Sequence, residues 1–213
     1  MNEKKTSGSA ATVIVRDVLQ GLSDGRYVAG QRLAERDLAE LYNLSRSSIR
    51  EALSHMAADG IVEISPYKGA RIRKLSRSEA ANIMAISEVI LGLAARQAAE
   101  NIQDQDERDR LSASFQALEN LRGADHQLEF NHRRNEYYRV LYELGKNDEL
   151  RRMLPKINVH LVRGSQAVPY DLRIEGHREI TEAVLAGDAE AAEAAARRYM
   201  RATIPYILQH YPN

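Results

Sequence analysis

At 213 residues, 44% of them hydrophobic and 28% charged, the chain is long enough for one large domain or two modest ones and too apolar to be disordered. Cysteine is absent, which excludes disulfides and thiolate metal sites, and no run of about 18 apolar residues stands out as a bilayer-spanning helix. Formal net charge is zero, but residues 1–75 carry 12 lysines and arginines against 9 acidic residues, while residues 76–213 carry 18 against 21.

Met1 to Ala10 is polar, with no apolar core behind Lys4 and Lys5, so it reads as a flexible tail and not a signal peptide, and a cytoplasmic chain is expected. From Ala11 to Leu22, Val15, Val18, Leu19 and Leu22 recur at helical spacing, with Gly25 beyond the end. Tyr27 to Leu33 holds Gly30 and reads as a loop. Glu35 to Tyr42 is a short helix offering Leu38, Ala39 and Leu41 to a core, and Asn43 tolerates the left-handed turn that follows. Ser45 is a good N-cap for a helix running to about Ala58 and stopping at Gly60, with Ile49, Leu53 and Met56 facing inward. Ile61-Val-Glu-Ile64 and Ala70-Arg-Ile-Arg-Lys74 are β-prone runs around Ser-Pro-Tyr-Lys-Gly, which makes a hairpin. Three helices and then a hairpin is the order of a winged helix-turn-helix, here over residues 11–75.

After Leu75 the strand signals end. Six helices are expected, at about 77–101, 105–122, 125–145, 147–163, 170–186 and 188–209, broken by Gly123, Gly145, Gly164 with Pro169, and Gly187. The fold is therefore mainly α: a winged domain with a small β-hairpin, and an antiparallel all-α bundle over residues 76–213.

Ser45-Arg-Ser-Ser-Ile-Arg-Glu51 carries the chemistry of the first domain. The N-terminal turn of a recognition helix meets base edges and phosphates. Arg46 and Arg50, four apart, project from one face, and arginine suits bidentate contact with guanine or phosphate. Ser45, Ser47 and Ser48 put short donors beside free backbone N–H groups. Tyr67, Lys68 and Gly69 form a hairpin tip that can enter a minor groove. Residue types alone leave open a merely solvated cationic helix.

The stretch also resembles the GntR family closely, through Val15-Arg-Asp-Val-Leu19, Gly30-Gln-Arg-Leu-Ala-Glu-Arg-Asp-Leu-Ala39, Ser45-Arg-Ser-Ser-Ile-Arg-Glu-Ala-Leu53, Asp59-Gly60 and Gly69. That resemblance implies DNA contacts by Arg36, Ser45, Arg46, Ser47, Ser48 and Arg50, with Tyr67, Lys68 and Gly69 on the wing. The second half resembles the FCD domain of the FadR subfamily, in its shorter VanR-like branch, through Leu141, Asn147-Asp-Glu-Leu150, His177-Arg-Glu-Ile180 and Ala186-Gly-Asp-Ala-Glu-Ala191.

Many FCD domains hold a divalent metal through an Asp, a His four residues on, and two further histidines. Aligned on the shared motifs, those positions here are Arg134, Tyr138, His177 and Tyr199, and Gly176 replaces the family's Glu before the His. An arginine, two phenols and one imidazole do not make a divalent site, so neither metal nor cofactor is expected. The family's effector-binding arginine on the first sensor helix falls on Ser87. Arg134, Tyr138 and Leu141 share one helix face; Ile174, His177, Thr181 and Val184 another; Ala192, Tyr199, Thr203 and Tyr206 a third. If those faces converge, Arg134, Tyr138, His177 and Tyr199, with Arg163 as a further candidate, would suit a small organic anion. The plainer alternatives are a core ion pair of Arg134 with Glu182, a satisfied core His177, packing roles for the tyrosines and a helix-capping Arg163. His126, His132, His160 and His210 have no partners at metal-ligand spacing.

The reading that follows is a homodimeric repressor that binds palindromic double-stranded operator DNA and responds to a small anion, without a membrane partner. Two alternatives compete with it. One is an enzyme using the His/Tyr/Arg set for acid–base chemistry, which leaves the DNA-binding half unexplained and lacks a nucleophile–base motif. The other is an architectural DNA-binding protein whose helical half only dimerises.

Overall fold

The computed structural model describes residues 4–67, 69–121, 127–157, 160–163 and 168–211. The chain divides into two compact units, Met1–Leu75 and Ser76–Asn213.

The first unit contains α1 (Lys4–Asp24), β1 (Arg32–Leu33), α2 (Glu35–Tyr42), α3 (Arg46–Ala58), β2 (Val62–Ser65) and β3 (Gly69–Ile72). Helix α1 starts at Lys4, so the expected tail over 1–10 is partly helical. Once Ala11 to Leu22 has formed helix, each added polar residue costs elongation and not nucleation, and polar composition hides the extension. The buried stripe of α1 is Ala11, Ile14, Val18 and Leu22, packed on Ile49, Ala52, Leu53 and Met56 of α3. Val15 and Leu19 are only half-buried, so the stripe is rotated from the expected one. On α2, Leu38 alone is buried; Leu41 is 66% exposed. The Tyr42 hydroxyl instead ties α2 to α1 by donating to Asp17.

Asn43 takes the left-handed conformation at φ 51°, ψ 47° and turns the chain between α2 and α3. The expected hairpin becomes a three-stranded antiparallel sheet in the order β1-β3-β2, with Arg32 opposite Arg71 and Leu33 opposite Ala70. A two-residue strand is too short for alternation to show, which is why residues 27–33 read as loop.

The second unit contains α4 (Arg77–Asn101), α5 (Gln105–Glu119), α6 (Gln127–Leu144), α7 (Asp148–Met153), a 3-10 turn (Leu154–Ile157), α8 (His160–Arg163), α9 (Tyr170–Leu185) and α10 (Ala189–Leu208). The helix expected over 147–163 is interrupted because Pro155 lacks an N–H and breaks the ladder. Helix α10 packs along α4 and α9, and the small side chains of Ala94, Ala95 and Ala98 on α4 and Ala192, Ala195 and Ala196 on α10 are buried.

Mean hydropathy over 18 residues of α4 reaches 1.3, so among the described helices this one is long and apolar enough to cross a membrane, contrary to the expectation from sequence. Its partners explain the composition. It is the core helix of the unit, against α6, α9 and α10, and its Glu88 pairs with Arg201 of α10 at 2.8 Å.

A reciprocal cap starts α4. Ser76 Oγ accepts from the Glu79 N–H at 3.2 Å, and the Glu79 carboxylate accepts from the Ser76 N–H at 2.8 Å. Ser76→Ala is expected to lower unfolding free energy by about 1 kcal/mol, and Ser76→Asp by much less, in urea denaturation with an unchanged slope.

Candidate functional site

The first candidate surface is the N-terminus of α3. Ser45 accepts from the Ser48 N–H at 3.2 Å, and its Oγ lies 2.8 Å from that of Ser47 and 3.0 Å from that of Ser48. Three hydroxyls therefore cluster where the helix presents unbonded N–H groups and the positive end of its dipole. Arg46 is exposed beside them. Arg36 pairs with Glu40 at 2.9 Å, and Arg50 with Glu35 at 2.8 Å. Both pairs are exposed, so solvent has already weakened them and a phosphate can take either guanidinium at small cost.

An open cleft of about 510 Å³ brings Arg36 and Arg46 together with Tyr67 and Gly69 of the wing. Tyr67 is fully exposed and held at φ 65°, followed in the turn by Gly69 at φ 76°. Lys68 lies outside the described residues. Arg32 also lines this cleft and went unnoticed in the sequence, because its strand did.

The second candidate site is buried in the helical unit. Arg134 and Tyr138 lie on one face of α6, His177 and Thr181 on one face of α9, and Tyr199 and Thr203 on one face of α10; all six are buried. The His177 ring is the hub, with centroids 4.9 Å from Tyr199, 5.4 Å from Tyr138 and 4.9 Å from Tyr137. His177 Nδ1 is 2.5 Å from the Arg173 carbonyl, and a carbonyl only accepts, so Nδ1 carries a proton. Arg134, Tyr138, Tyr199 and Thr203, with Met84 and Val168, line a cavity of about 40 Å³. That is room for a few water molecules.

The structure thus brings together Arg134, Tyr138, His177 and Tyr199. Arg163 closes α8, and its side chain lies outside what is described, as do those of His126 and His160. His132 and His210 are exposed. Glu182, the alternative partner considered for Arg134, is on the exposed side of α9, as are Ala186 beyond the helix end and Tyr206 on α10. Ser87 is buried and donates to the Ile83 carbonyl at 2.8 Å, so α4 offers no charge at the position where the family's effector arginine would fall.

Two residues of this cluster escaped the sequence reading. Tyr137 is fully buried, its hydroxyl 3.1 Å from Thr181 Oγ1, and burial pushes its phenol well above the ordinary value. Arg173 lies one turn before His177 on the same face of α9, a spacing that was there to be read.

The residues do not fit a divalent metal. Among the described residues no three of His, Cys, Asp and Glu come together. Here a guanidinium stands in the cavity wall and the one imidazole is enclosed by phenol rings. At Gly176 a Cβ would sit 2.1 Å from Tyr199 Cδ2, so the large ring on α10 requires a glycine opposite it.

With this geometry established, similarity to known proteins is informative. The model of the gntR family of bacterial regulatory proteins matches residues 10–72, and that of the FCD domain matches residues 82–202. The chain belongs to the GntR family, with an FCD domain. It is therefore a DNA-binding transcription regulator and not an enzyme.

Over 207 residues it is 27% identical to the probable D-xylose utilization operon transcriptional repressor of Paenarthrobacter nicotinovorans, covering 95% of this chain and 91% of that protein. The HTH-type transcriptional repressor RspR of Escherichia coli K12 is 29% identical over 92 residues, 43% of this chain and 39% of that one. The Escherichia coli McbR/YncC structure shares the fold with a TM-score of 0.84 at 19% identity, covering 95% of this chain and 99% of that one. A putative GntR regulator from Rhodococcus sp. RHA1 does so with a TM-score of 0.78 at 18% identity, covering 96% and 100%.

For this GntR regulator, Gly176→Ala is expected to cost about 1–3 kcal/mol through overpacking against Tyr199. On a Tyr199→Ala background the same substitution should cost clearly less, which a double-mutant cycle of melting experiments reads. Purified protein is expected to hold less than stoichiometric zinc, manganese or nickel by elemental analysis, with a melting temperature unmoved by chelator. One tightly held ion per chain, lost in His177→Ala, would contradict the assignment.

Proposed function

We propose that the protein is a homodimeric, cytoplasmic repressor that leaves a palindromic operator when a small organic anion enters the cavity at Arg134. The observation that carries the ligand half is a buried cation in the wall of a small, partly open cavity: Arg134 is 7% exposed, with two phenols and a hydroxyl beside it. Such a setting favours an anion, since a planar guanidinium gives a carboxylate charge and two parallel donors. Tyr138 and Tyr199 would donate hydroxyls, His177 would hold the rings in place, and Arg163 is a further candidate contact. A relative named as a repressor of a sugar-utilization operon supports the direction of regulation.

On the DNA side, Arg46 would read a base edge, while Arg36, Ser45, Ser47, Ser48 and Arg50 hold phosphates and Tyr67, Lys68 and Gly69 enter the neighbouring groove. Dimerisation is supported by α4, on which Ile86, Val89 and Leu93 are exposed at i, i+3 and i+7. An apolar stripe of that spacing suits pairing with its own two-fold copy, and a two-fold protein reads an inverted repeat. The ligand acts only through its differential affinity for the DNA-bound and released states.

Arg46→Ala is expected to lose about 1–3 kcal/mol of operator binding and to relax base preference at one position per half-site. Gel-shift titration and selection of binding sequences measure both, and an unchanged affinity and sequence preference would refute the assignment. Arg134→Ala is expected to bind operator like wild type and to be deaf to the inducing anion, with Arg134→Lys intermediate. Reporter induction reads this, and a wild-type response in Arg134→Ala would make the residue structural.

A further inference from the structure

Resting on the reading of α3 and the wing as the DNA face, we propose that Arg32, Arg71 and Lys74 form a second phosphate-binding corner on the first unit, which grips the DNA backbone beside the recognition helix.

The corner is built where β1 begins. Gly30 donates its N–H to the Ile72 carbonyl at 2.9 Å, and Ile72 donates back to the Gln31 carbonyl at 2.9 Å, so the start of β1 is pinned along β3. Arg32 then stands directly opposite Arg71. Residues opposite each other in an antiparallel pair share one face, with Cβ atoms about 5 Å apart. Leu33 and Ala70, the next pair, turn the other way and are buried. Gly30 takes φ 79°, and a Cβ there would meet Lys74 Cε at 2.1 Å, so the lysine stem lies across this turn. Three exposed cations therefore gather around Gly30.

Their charge is not answered within the unit. Arg26 pairs with Asp17 at 3.1 Å, Arg36 with Glu40 and Arg50 with Glu35. Among the described residues, no ion pair joins Arg32, Arg71 or Lys74 to a carboxylate, although Glu63 of β2 also stands opposite Arg71. Arg71 spends one guanidinium nitrogen on the Gly30 carbonyl at 3.1 Å. Like charges directly opposite across a strand pair destabilise it. Positions that break such a local rule without compensation inside the fold mark a functional surface.

The DNA backbone supplies the compensation. Arg32 also lines the cleft between Arg46 of α3 and Tyr67 of the wing. With α3 in one groove and the wing in the next, the row of phosphates that separates the grooves passes over this cleft. Arg32 carries the contact from the cleft to Arg71 and Lys74. Exposed cations hold a small anion weakly in water, whereas a row of phosphates releases counterions for each charge neutralised. Such contacts add affinity and fix register without choosing bases.

The test is fluorescence anisotropy titration of the full-length protein over a series of KCl concentrations. The probes are a mixed-sequence duplex and the duplex that wild type enriches from a random pool. Arg32→Gln and Lys74→Gln are each expected to lower the slope of log K against log salt by about 1, and the double variant by about 2. Both duplexes should weaken by the same factor, so sequence preference stays unchanged. Arg32→Lys should keep the wild-type slope. Relief of the like-charge pair should leave the melting temperature of Arg32→Gln at or above that of wild type. Arg152→Gln takes the same charge from exposed α7 of the second unit and should leave the slope unchanged.

A wild-type slope in the double variant, an equal loss of slope in Arg152→Gln, or a lowered melting temperature in Arg32→Gln with its slope intact overturns the corner. If Arg46→Ala still weakens the enriched duplex, the DNA face at α3 stands without it. If neither Arg46→Ala nor the double variant changes binding, both readings fall.

Discussion

A guanidinium taken out of water in the middle of a helical bundle is the constraint around which the second unit is arranged. Desolvation makes an ion expensive to bury unless charge-assisted hydrogen bonds or an opposite charge replace its hydration. Arg134 is 7% exposed, in the wall of a small cavity with Tyr138, Tyr199 and Thr203 beside it. The Tyr199 ring needs Gly176 opposite it, and His177, ringed by Tyr137, Tyr138 and Tyr199, donates its Nδ1–H to the Arg173 carbonyl.

The DNA-binding unit obeys a different rule. Its cations are exposed, and two of them are held by exposed carboxylates, in the Arg36–Glu40 and Arg50–Glu35 pairs. Such pairs keep the side chains ordered while adding little stability, so they yield to phosphates without a large penalty. Exposed charge of this kind suits a polyanion whose own counterions are released on binding.

How much of this was legible in the sequence depended on how local each signal was. The α2–α3 turn and the recognition helix were readable because Asn43 and Ser45 act on their immediate neighbours, through a left-handed turn and a side-chain cap. The convergence of Arg134, Tyr138, His177 and Tyr199 was readable because helical periodicity places each on an inward face. Strand β1 was not, since two residues make no pattern and its pairing with β3 lies far along the chain. The α1 stripe was misjudged by one residue, because Ile14 and Val15 are equally apolar and only the packing against α3 chooses between them. Arg173 and Tyr137 were missed for another reason. Apolar and polar residue types were assigned to core and surface, and neither a half-buried arginine on an aromatic ring nor a fully buried tyrosine announces itself by type.

The central claim is that an arginine-centred cavity, and not a metal, is the ligand site of this GntR regulator. The most direct measurement is an anomalous difference map from crystals soaked in selenate, a compact dianion whose selenium marks its own position. The expected result is a peak in the cavity between α6 and α10, within hydrogen-bonding distance of Arg134, with no metal peak at His177. Selenate confined to the protein surface, or a metal bound at His177, would contradict the claim.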